Sequence, residues 1–207
     1  MADAGRAVEL ATLQGVRFLG FVFYEPSPRN AFALTSDDFA KMPSSVMKVG
    51  VFVDTPVDEI VNILSSRDIK WVQLHGKESP EFCGILKKRG FNVIKAFAIG
   101  EMNSQGLNEM VRGYEGVADF FLFDTAGHSV GGNGKKFDWN ILSGYSPSVP
   151  FILSGGIAPD DFSLLIKLRN TLGHRFAGID INSRFEESPG KKNVELVKDF
   201  TRKLYAG

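Results

Sequence analysis

The chain has 207 residues, of which 43% are hydrophobic and 23% are charged, and this length and composition fit one globular domain over residues 1–207. Its 24 lysine and arginine residues balance 24 aspartate and glutamate residues, so no net field attracts nucleic acid or an anionic membrane. The first ten residues lack the features of a secretory signal, and no run reaches the roughly 20 apolar residues of a membrane span. We expect a cytoplasmic protein with neither nucleic acid nor a membrane as its partner.

Seven short apolar runs alternate with amphipathic segments, which is typical of βα units around a parallel sheet. Most runs are apolar on successive residues, as expected of strands that are covered on both faces. The predicted strands are VRFLGFVF (16–23), MKVGVFV (47–53), WVQLH (71–75), FNVIKAF (91–97), ADFFLFD (118–124), PFILSG (150–155) and FAGIDI (176–181).

Helix signals lie between these runs. Gly15 and Gly90 stand where a helix should stop. Start signals are Thr35-Ser36-Asp37-Asp38, Ser79-Pro80-Glu81, Pro159-Asp160-Asp161, and Asn193 before VELVKDFTRKL.

The count of elements departs from a regular repeat. The sequence opens on a predicted helix at about 3–14 and closes on one at about 193–204, which gives eight helices and seven strands. A closed (β/α)8 barrel needs eight strands. Two readings stay open: an open, doubly wound seven-stranded sheet, or a barrel whose first strand is absent from this sequence.

Cys83 is the only cysteine, which excludes an internal disulfide and a cysteine-rich zinc site. It lies in SPEFCGILKKRG (79–90), a pattern typical of a helix. We therefore expect a buried structural thiol rather than a nucleophile.

Polar residues and glycines follow five of the predicted strands, at the end where barrels place their active sites. Ser154, Gly155 and Gly156 precede a helix, so their N–H groups could approach a phosphate, although a plain tight turn explains them equally well. The five sets are Tyr24 to Arg29, Gln73 to Gly76, Asp124-Thr125, Ser154-Gly155-Gly156, and Asp180 to Arg184.

Several of these segments form an ordered series. In chain order they are GFVFYEPSPRN (20–30), VGVFVD (49–54), VQLHG (72–76), FDT (123–125), GGNGKKFDW (131–139), LSGGI (153–157) and GIDINSRFEESPGKKN (178–193). In this order and spacing the chain resembles the phosphoribosylanthranilate isomerase family over essentially its whole length.

The resemblance implies a (β/α)8 TIM barrel of the ribulose-phosphate-binding type, here with strand 1 missing. It implies an Amadori rearrangement of N-(5-phosphoribosyl)anthranilate to an aminoketone phosphate in tryptophan biosynthesis. The implied ligand is a small phosphorylated substrate, with no cofactor and no metal. Such barrels occur as monomers and homodimers, and the sequence does not choose between them.

The resemblance also implies roles for particular residues. Asp124 matches the general acid, although a strand-end aspartate alone more often makes a turn or a cap. Arg29 matches the arginine that binds the anthranilate carboxylate, and its planar fork suits that group. His75 could line the site or bond within the core, and we do not expect it to be the base. The remaining expected substrate-binding residues are Gly132, in the glycine-rich loop, and Ser154, Gly155, Gly156, Asp180, Asn182, Ser183 and Arg184, around the phosphate.

Two departures from the family pattern matter. The family's base is a cysteine on a first strand, and this sequence has neither that strand nor that cysteine, so we expect about ten residues to be lacking and turnover to be severely reduced. Arg184 stands where many members carry glycine, which leaves the phosphate contacts open.

Other readings compete with the isomerase. Indole-glycerol-phosphate synthase would share the phosphate site, but its lysine and glutamate acid and base residues are not aligned here. A barrel that binds a phosphate ligand without catalysis would explain the absent cysteine. A nucleotide-binding doubly wound sheet needs a glycine-rich turn after its first strand, and YEPSPRN (24–30) does not fit that requirement.

Overall fold

The computed structural model describes residues 1–126 and 136–206 and contains one curled parallel sheet of seven strands. All seven predicted strands are confirmed, with bounds shifted by a few residues. They are β1 (Phe18–Val22), β2 (Met47–Phe52), β3 (Trp71–Leu74), β4 (Asn92–Ile99), β5 (Phe120–Thr125), β6 (Phe151–Leu153) and β7 (Phe176–Ile179).

The strands lie in chain order, each parallel to the next, which is the order of a (β/α) barrel. Within the described residues β1 pairs only with β2 and β7 only with β6. This order excludes the doubly wound sheet, because that fold reverses its strand order partway across. The α-helices that the structure describes are α1 (Ala4–Ala11), α2 (Ser36–Ala40), α3 (Val57–Ser65), α4 (Pro80–Lys88), α5 (Ser104–Val111), α6 (Phe162–Leu172) and α7 (Val194–Ala206).

Local sequence explains where these helices begin and end. The Thr35 hydroxyl and the Asp38 carboxylate cap each other's backbone N–H at α2, and Ser79 caps α4 with Pro80 as its first residue. Gly90, with φ of 88°, directly follows the C-cap of α4, so the predicted stop there is confirmed. Gly15 also has a positive φ, 90°, but α1 ends earlier, at Ala11, with Thr12 as its C-cap. The eighth predicted helix is present as a short 3₁₀ helix, Trp139–Gly144.

Side chains on alternate positions of the strands divide between two apolar layers. Those that face the sheet's interior include Val49, Ile94, Ala96, Leu122 and Ile152. Below them, at the amino ends of three alternate strands, the rings of Phe18, Trp71 and Phe120 pack with centroids 5.1 to 6.0 Å apart. The interior is therefore filled from one end, and the other end is left for polar groups.

Larger aromatic side chains fill the layer between the sheet and the helices. Phe123 is fully buried there, with ring centroids 5.1 Å from Phe151 and 5.7 Å from Tyr145. Within the described ranges, none of the helices combines the length and apolar character needed to cross a bilayer.

A small antiparallel hairpin, β8 (Glu186–Ser188) with β9 (Lys191–Lys192), follows β7. The sequence does not predict this hairpin, because strands of three and two residues are too short to show an alternating pattern. Gly190 at its turn has φ of 83°. The hairpin brings two charged residues of its own to the carboxyl end of the sheet.

Replacing Phe123 by alanine should lower the free energy of unfolding by about 3–5 kcal/mol, because it leaves a cavity among packed rings. Urea unfolding followed by circular dichroism measures the change. The control is Leu164→Ala on α6, where the side chain is 49% exposed and we expect a loss under about 1 kcal/mol. Equal losses in the two variants would contradict the packing described here.

Candidate active site

A cavity of about 880 Å³ runs from the carboxyl ends of the strands along the β1 and β7 edges to their amino ends, bordered there by α6 and α7. Polar side chains line its mouth, the part at the carboxyl ends of the strands. Nine of the residues expected at a substrate site line this cavity: Arg29, His75, Asp124, Ser154, Gly155, Gly156, Asp180, Asn182 and Ser183.

Asp124 and His75 face each other across the mouth. Asp124 is in β5 and His75 directly follows β3, and the distance from His75 Nε2 to Asp124 Oδ2 is 3.4 Å. The Gln73 amide nitrogen lies 2.9 Å from His75 Nδ1. Because an amide nitrogen only donates, Nδ1 accepts this hydrogen bond, and the ring proton is on Nε2, towards Asp124. In this tautomer the Nε2–H group faces the Asp124 carboxylate, with Nε2 3.4 Å from Oδ2.

Small residues on the intervening strand allow this approach. β4 lies between β3 and β5, and Ala98 of β4 pairs in register with Asp124. Ala96, two positions earlier, faces the same interior. Methyl groups at these positions leave room for side chains from β3 and β5 to meet above β4.

The turn after β6 approaches β5 closely. Gly155 and Gly156 have φ of 88° and 69°, a conformation that glycine adopts readily. A Cβ atom on Gly155 would lie 2.5 Å from the backbone nitrogen of Thr125 and 2.9 Å from Asp124 Oδ1. Within the described residues, the N–H groups of Gly155 and Gly156 make no hydrogen bond. Among the residues that the structure describes, the turn thus presents two unpaired donors beside Asp124.

Asp180, after β7, adds a second carboxylate to the cavity. Its backbone N–H donates to the Leu153 carbonyl, and the Ser154 hydroxyl donates to Asp180 Oδ2 at 3.2 Å. Burial raises the pKa of Asp180, and the nearby Asp124 carboxylate raises it further, although Lys192 opposes both effects. Asp180 is therefore more easily protonated than an ordinary aspartate.

Arg29 is bound by a charged cluster from the hairpin. Its Nε and Nη2 donate to both carboxylate oxygens of Glu186, with a closest distance of 2.8 Å. Lys192 donates to Glu186 at 3.0 Å and to the Asn182 side-chain oxygen at 2.6 Å. Glu186 and Lys192 both lie in GIDINSRFEESPGKKN, but the sequence does not single them out. The contact of Glu186 with Arg29, 157 residues away in the chain, leaves no local pattern.

The pKa values of Glu186 and Lys192 in this cluster are both lowered. Burial favours a higher pKa for Glu186, but hydrogen bonds from Arg29 and Lys192 outweigh it and hold the pKa below its usual value. Burial lowers the pKa of the Lys192 ammonium despite the neighbouring Glu186 and Asp180 carboxylates. The cluster therefore depends on each of its charges for the stability of the others.

Two further residues predicted from the sequence, Arg184 and Cys83, lie away from the cavity, and a third, Gly132, is not described. Arg184 is exposed in a short 3₁₀ turn, Ser183–Phe185, and does not line the cavity. Gly132 falls outside the described residues. Cys83 is fully buried on α4, away from the cavity, and burial raises the pKa of its thiol to about 11. The expectation that this thiol is buried on a helix is confirmed.

Known proteins resemble this chain over nearly its full length. The family model "N-(5'phosphoribosyl)anthranilate (PRA) isomerase" matches residues 1–203. The N-(5'-phosphoribosyl)anthranilate isomerase of Parabacteroides distasonis is 42% identical over 198 residues, which are 95% of this chain and 86% of that protein. The crystal structure of phosphoribosyl anthranilate isomerase from Thermotoga maritima superposes with a TM-score of 0.81 at 27% identity, covering 100% of this chain and 96% of that one. Another structure of this isomerase, in complex with reduced 1-(o-carboxyphenylamino)-1-deoxyribulose 5-phosphate, has a TM-score of 0.78 at 26% identity with the same coverage.

Gly155→Ala should destabilise the protein by clearly more than a matched substitution, because a Cβ there meets backbone as well as an unfavourable φ. Gly116→Ala is the control, since Gly116 has φ of 84° but no atom lies within 4 Å of its added Cβ. We expect the control to lose about 1–3 kcal/mol from backbone strain alone. Thermal and urea unfolding measure both variants, and equal losses would show that close approach to β5 is unimportant.

Glu186→Gln should lower stability by about 3–5 kcal/mol near pH 7, because it removes the carboxylate to which two largely buried cations, Arg29 and Lys192, are both bonded. The folded-state pKa of Glu186 lies below its unfolded value, so its contribution is present above about pH 4.5 and is lost as pH falls through the folded pKa. The difference between parent and variant should therefore shrink in acid, as measured by urea unfolding at pH 7 and pH 3. Glu109→Gln at an exposed site is the control, and a difference independent of pH would contradict the assignment.

Proposed function

This chain belongs to the phosphoribosylanthranilate isomerase family, and on that premise we propose that it converts N-(5-phosphoribosyl)anthranilate into 1-(2-carboxyphenylamino)-1-deoxyribulose 5-phosphate in tryptophan biosynthesis. One observation carries the proposal: the Asp124 carboxylate shares a cavity with two N–H groups of the turn after β6 that have no partner in residues 1–126 and 136–206. An acid and an anion site in one cavity are what a phosphorylated sugar amine requires.

Asp124 is the proposed general acid. Opening of the ribose ring leaves negative charge on the ring oxygen, which an acid within hydrogen-bond reach neutralises by donating a proton. The Asp124 side chain is 32% exposed to the cavity, so it can touch a ligand while its strand stays fixed. His75 orients this carboxylate through Nε2–H.

The phosphate is proposed to bind between the ends of β6 and β7. Gly155 and Gly156 offer two N–H donors there, and Asn182 and Ser183 line the same cavity. Absence of side-chain bulk at both glycines lets the phosphate oxygens come within hydrogen-bond distance of backbone. Arg184, which is exposed outside the cavity lining, is left out of this arrangement.

Arg29 is the proposed partner of the anthranilate carboxylate. Glu186 occupies its Nε and Nη2, which fixes the guanidinium plane at the cavity wall. Nη1 belongs to the same rigid plane, and it is the donor we assign to the substrate carboxylate.

A phosphate-binding barrel with impaired catalysis is the second candidate function. The observation that favours it is that the sequence's single cysteine is buried on α4 with a raised pKa. The family's cysteine base therefore has no counterpart among these 207 residues. Binding of a product analogue without turnover would distinguish this candidate from the isomerase.

The wider setting of the protein stays a prediction. We propose a cytoplasmic enzyme that acts without a bound cofactor, as a monomer or a homodimer. Cell fractionation tests the location, and light scattering of the purified chain tests the oligomeric state.

Asp124→Asn should reduce kcat by about 10²–10⁴-fold, because the amide cannot donate the acid's proton. KM should change little, since the shape of the site is kept. The assay follows the loss of anthranilate fluorescence as the substrate is consumed. Asp58→Asn is the control, because the Asp58 side chain is 84% exposed and should leave kcat unchanged.

The assay of Asp124→Asn, combined with a binding measurement, separates the two candidate functions. Calorimetry measures binding of reduced 1-(o-carboxyphenylamino)-1-deoxyribulose 5-phosphate to the unsubstituted chain. Turnover that Asp124→Asn abolishes supports the isomerase, and binding without turnover supports the impaired barrel. A chain that neither turns over substrate nor binds the analogue would contradict both.

A further inference from the structure

A buried ion pair lies outside the cavity, in the layer between the sheet and the helices. Lys95 of β4 and Glu78, which follows β3, are 2% and 5% exposed, and their charged atoms are 2.9 Å apart. Lys95 alternates with Ile94 and Ala96, which face the interior, so its side chain points away from the substrate cavity. The pair cannot touch substrate.

The contacts of Lys95 surround one residue of the active site. Its ammonium donates to the Leu74 carbonyl at 3.2 Å and to the Gly76 carbonyl at 2.7 Å. These are the carbonyls on either side of His75. With Glu78 as the third acceptor, all three N–H groups of the ammonium are bound.

Glu78 binds backbone N–H groups of the turn that follows His75. Both of its oxygens accept from the Gly76 N–H, Oε1 at 3.2 Å and Oε2 at 3.0 Å, and Oε1 also accepts from the Asp54 N–H at 3.0 Å. Asp54 follows β2 and has φ of 49°, and its side chain accepts from the Lys77 N–H. The ends of β2 and β3 are therefore joined through one buried carboxylate.

The free-energy cost of burying Lys95 and Glu78 indicates that this pair does more than stabilise the fold. Desolvating two charges is unfavourable by several kcal/mol per ion, and apolar residues of similar volume often serve stability as well or better. What apolar residues cannot do is fix the directions of two carbonyls and two N–H groups. Such fixed directions determine where the side chain between them points.

We propose that Lys95 and Glu78 are positioning residues that hold His75 against Asp124. The pair clamps the backbone on both sides of His75, and the clamp keeps the ring where Gln73 bonds Nδ1 and Nε2 lies 3.4 Å from Asp124. This inference rests on the proposed function, since it assigns the pair to the geometry of the proposed acid. Its central claim, the position of one imidazole, is measurable without turnover.

The test is the neutral double variant Lys95→Met/Glu78→Gln, which removes both charges together and so leaves no unpaired buried ion. Glutamine keeps an oxygen that can accept from the Gly76 N–H. The matched control is Lys198→Met/Glu195→Gln, which neutralises an exposed pair on α7. The spectrum of His75→Gln assigns the His75 signals.

Long-range ¹H–¹⁵N spectra report which ring nitrogen of His75 carries the proton. We expect the Nε2–H tautomer alone in the unsubstituted chain and in the control, and averaged ring-nitrogen shifts in the double variant. Where turnover is present, kcat should fall by about 10- to 100-fold with KM within twofold, because small misplacements of catalytic groups have effects of that size. A folded double variant with the parent's tautomer pattern would overturn the proposal.

If the double variant does not fold, a second measurement on the unsubstituted chain tests the proposal. The Gly76 and Asp54 amides should exchange with solvent slowly, since both are bonded to a buried carboxylate. Fast exchange at these amides, or a mixture of His75 tautomers, would also overturn the proposal. If the unsubstituted chain shows no turnover but His75 is in the Nε2–H tautomer, that result would count against the proposed function and not against the positioning role.

Discussion

Alternation of side chains along parallel strands is the constraint from which the site follows. In a curled parallel sheet the carboxyl ends of all strands lie along one edge, which we call the rim. The last inward-facing residue of each strand points into the cavity there. Asp124, His75, Ser154 and Asp180 all occupy such positions. A shift of one residue in any of these strands would turn its polar side chain outward and an apolar one inward.

Charged side chains near the rim are held by other charges. Inside the mouth, Glu186 links Arg29 to Lys192, and outside the sheet Glu78 links Lys95 to the backbone around His75. Each carboxylate therefore joins segments that are far apart in the chain. Because breaking one partner of a buried pair leaves an uncompensated charge, each linkage keeps its partners together and fixes directions that apolar packing would not.

The sequence predicted the elements well and the contacts between them poorly. Seven strands were recognisable because each is a short apolar run between helix signals, and the residues after them mark the site. The hairpin at 186–192 was missed, since its strands are too short for a pattern. The partners of Arg29 and Lys95 were missed because ion pairs between distant residues leave no local signal, although a lysine inside the apolar run FNVIKAF indicates a buried partner.

The two tryptophans of the sequence stand at opposite ends of the sheet. Trp71 packs against Phe18 and Phe120 at the amino ends of the strands, whereas Trp139 begins the 3₁₀ helix whose preceding segment bonds Thr125 at the carboxyl end of β5. Their emission spectra therefore report on different halves of the molecule. Variants that retain one tryptophan each would show whether both ends melt in a single cooperative transition or whether the rim loosens first.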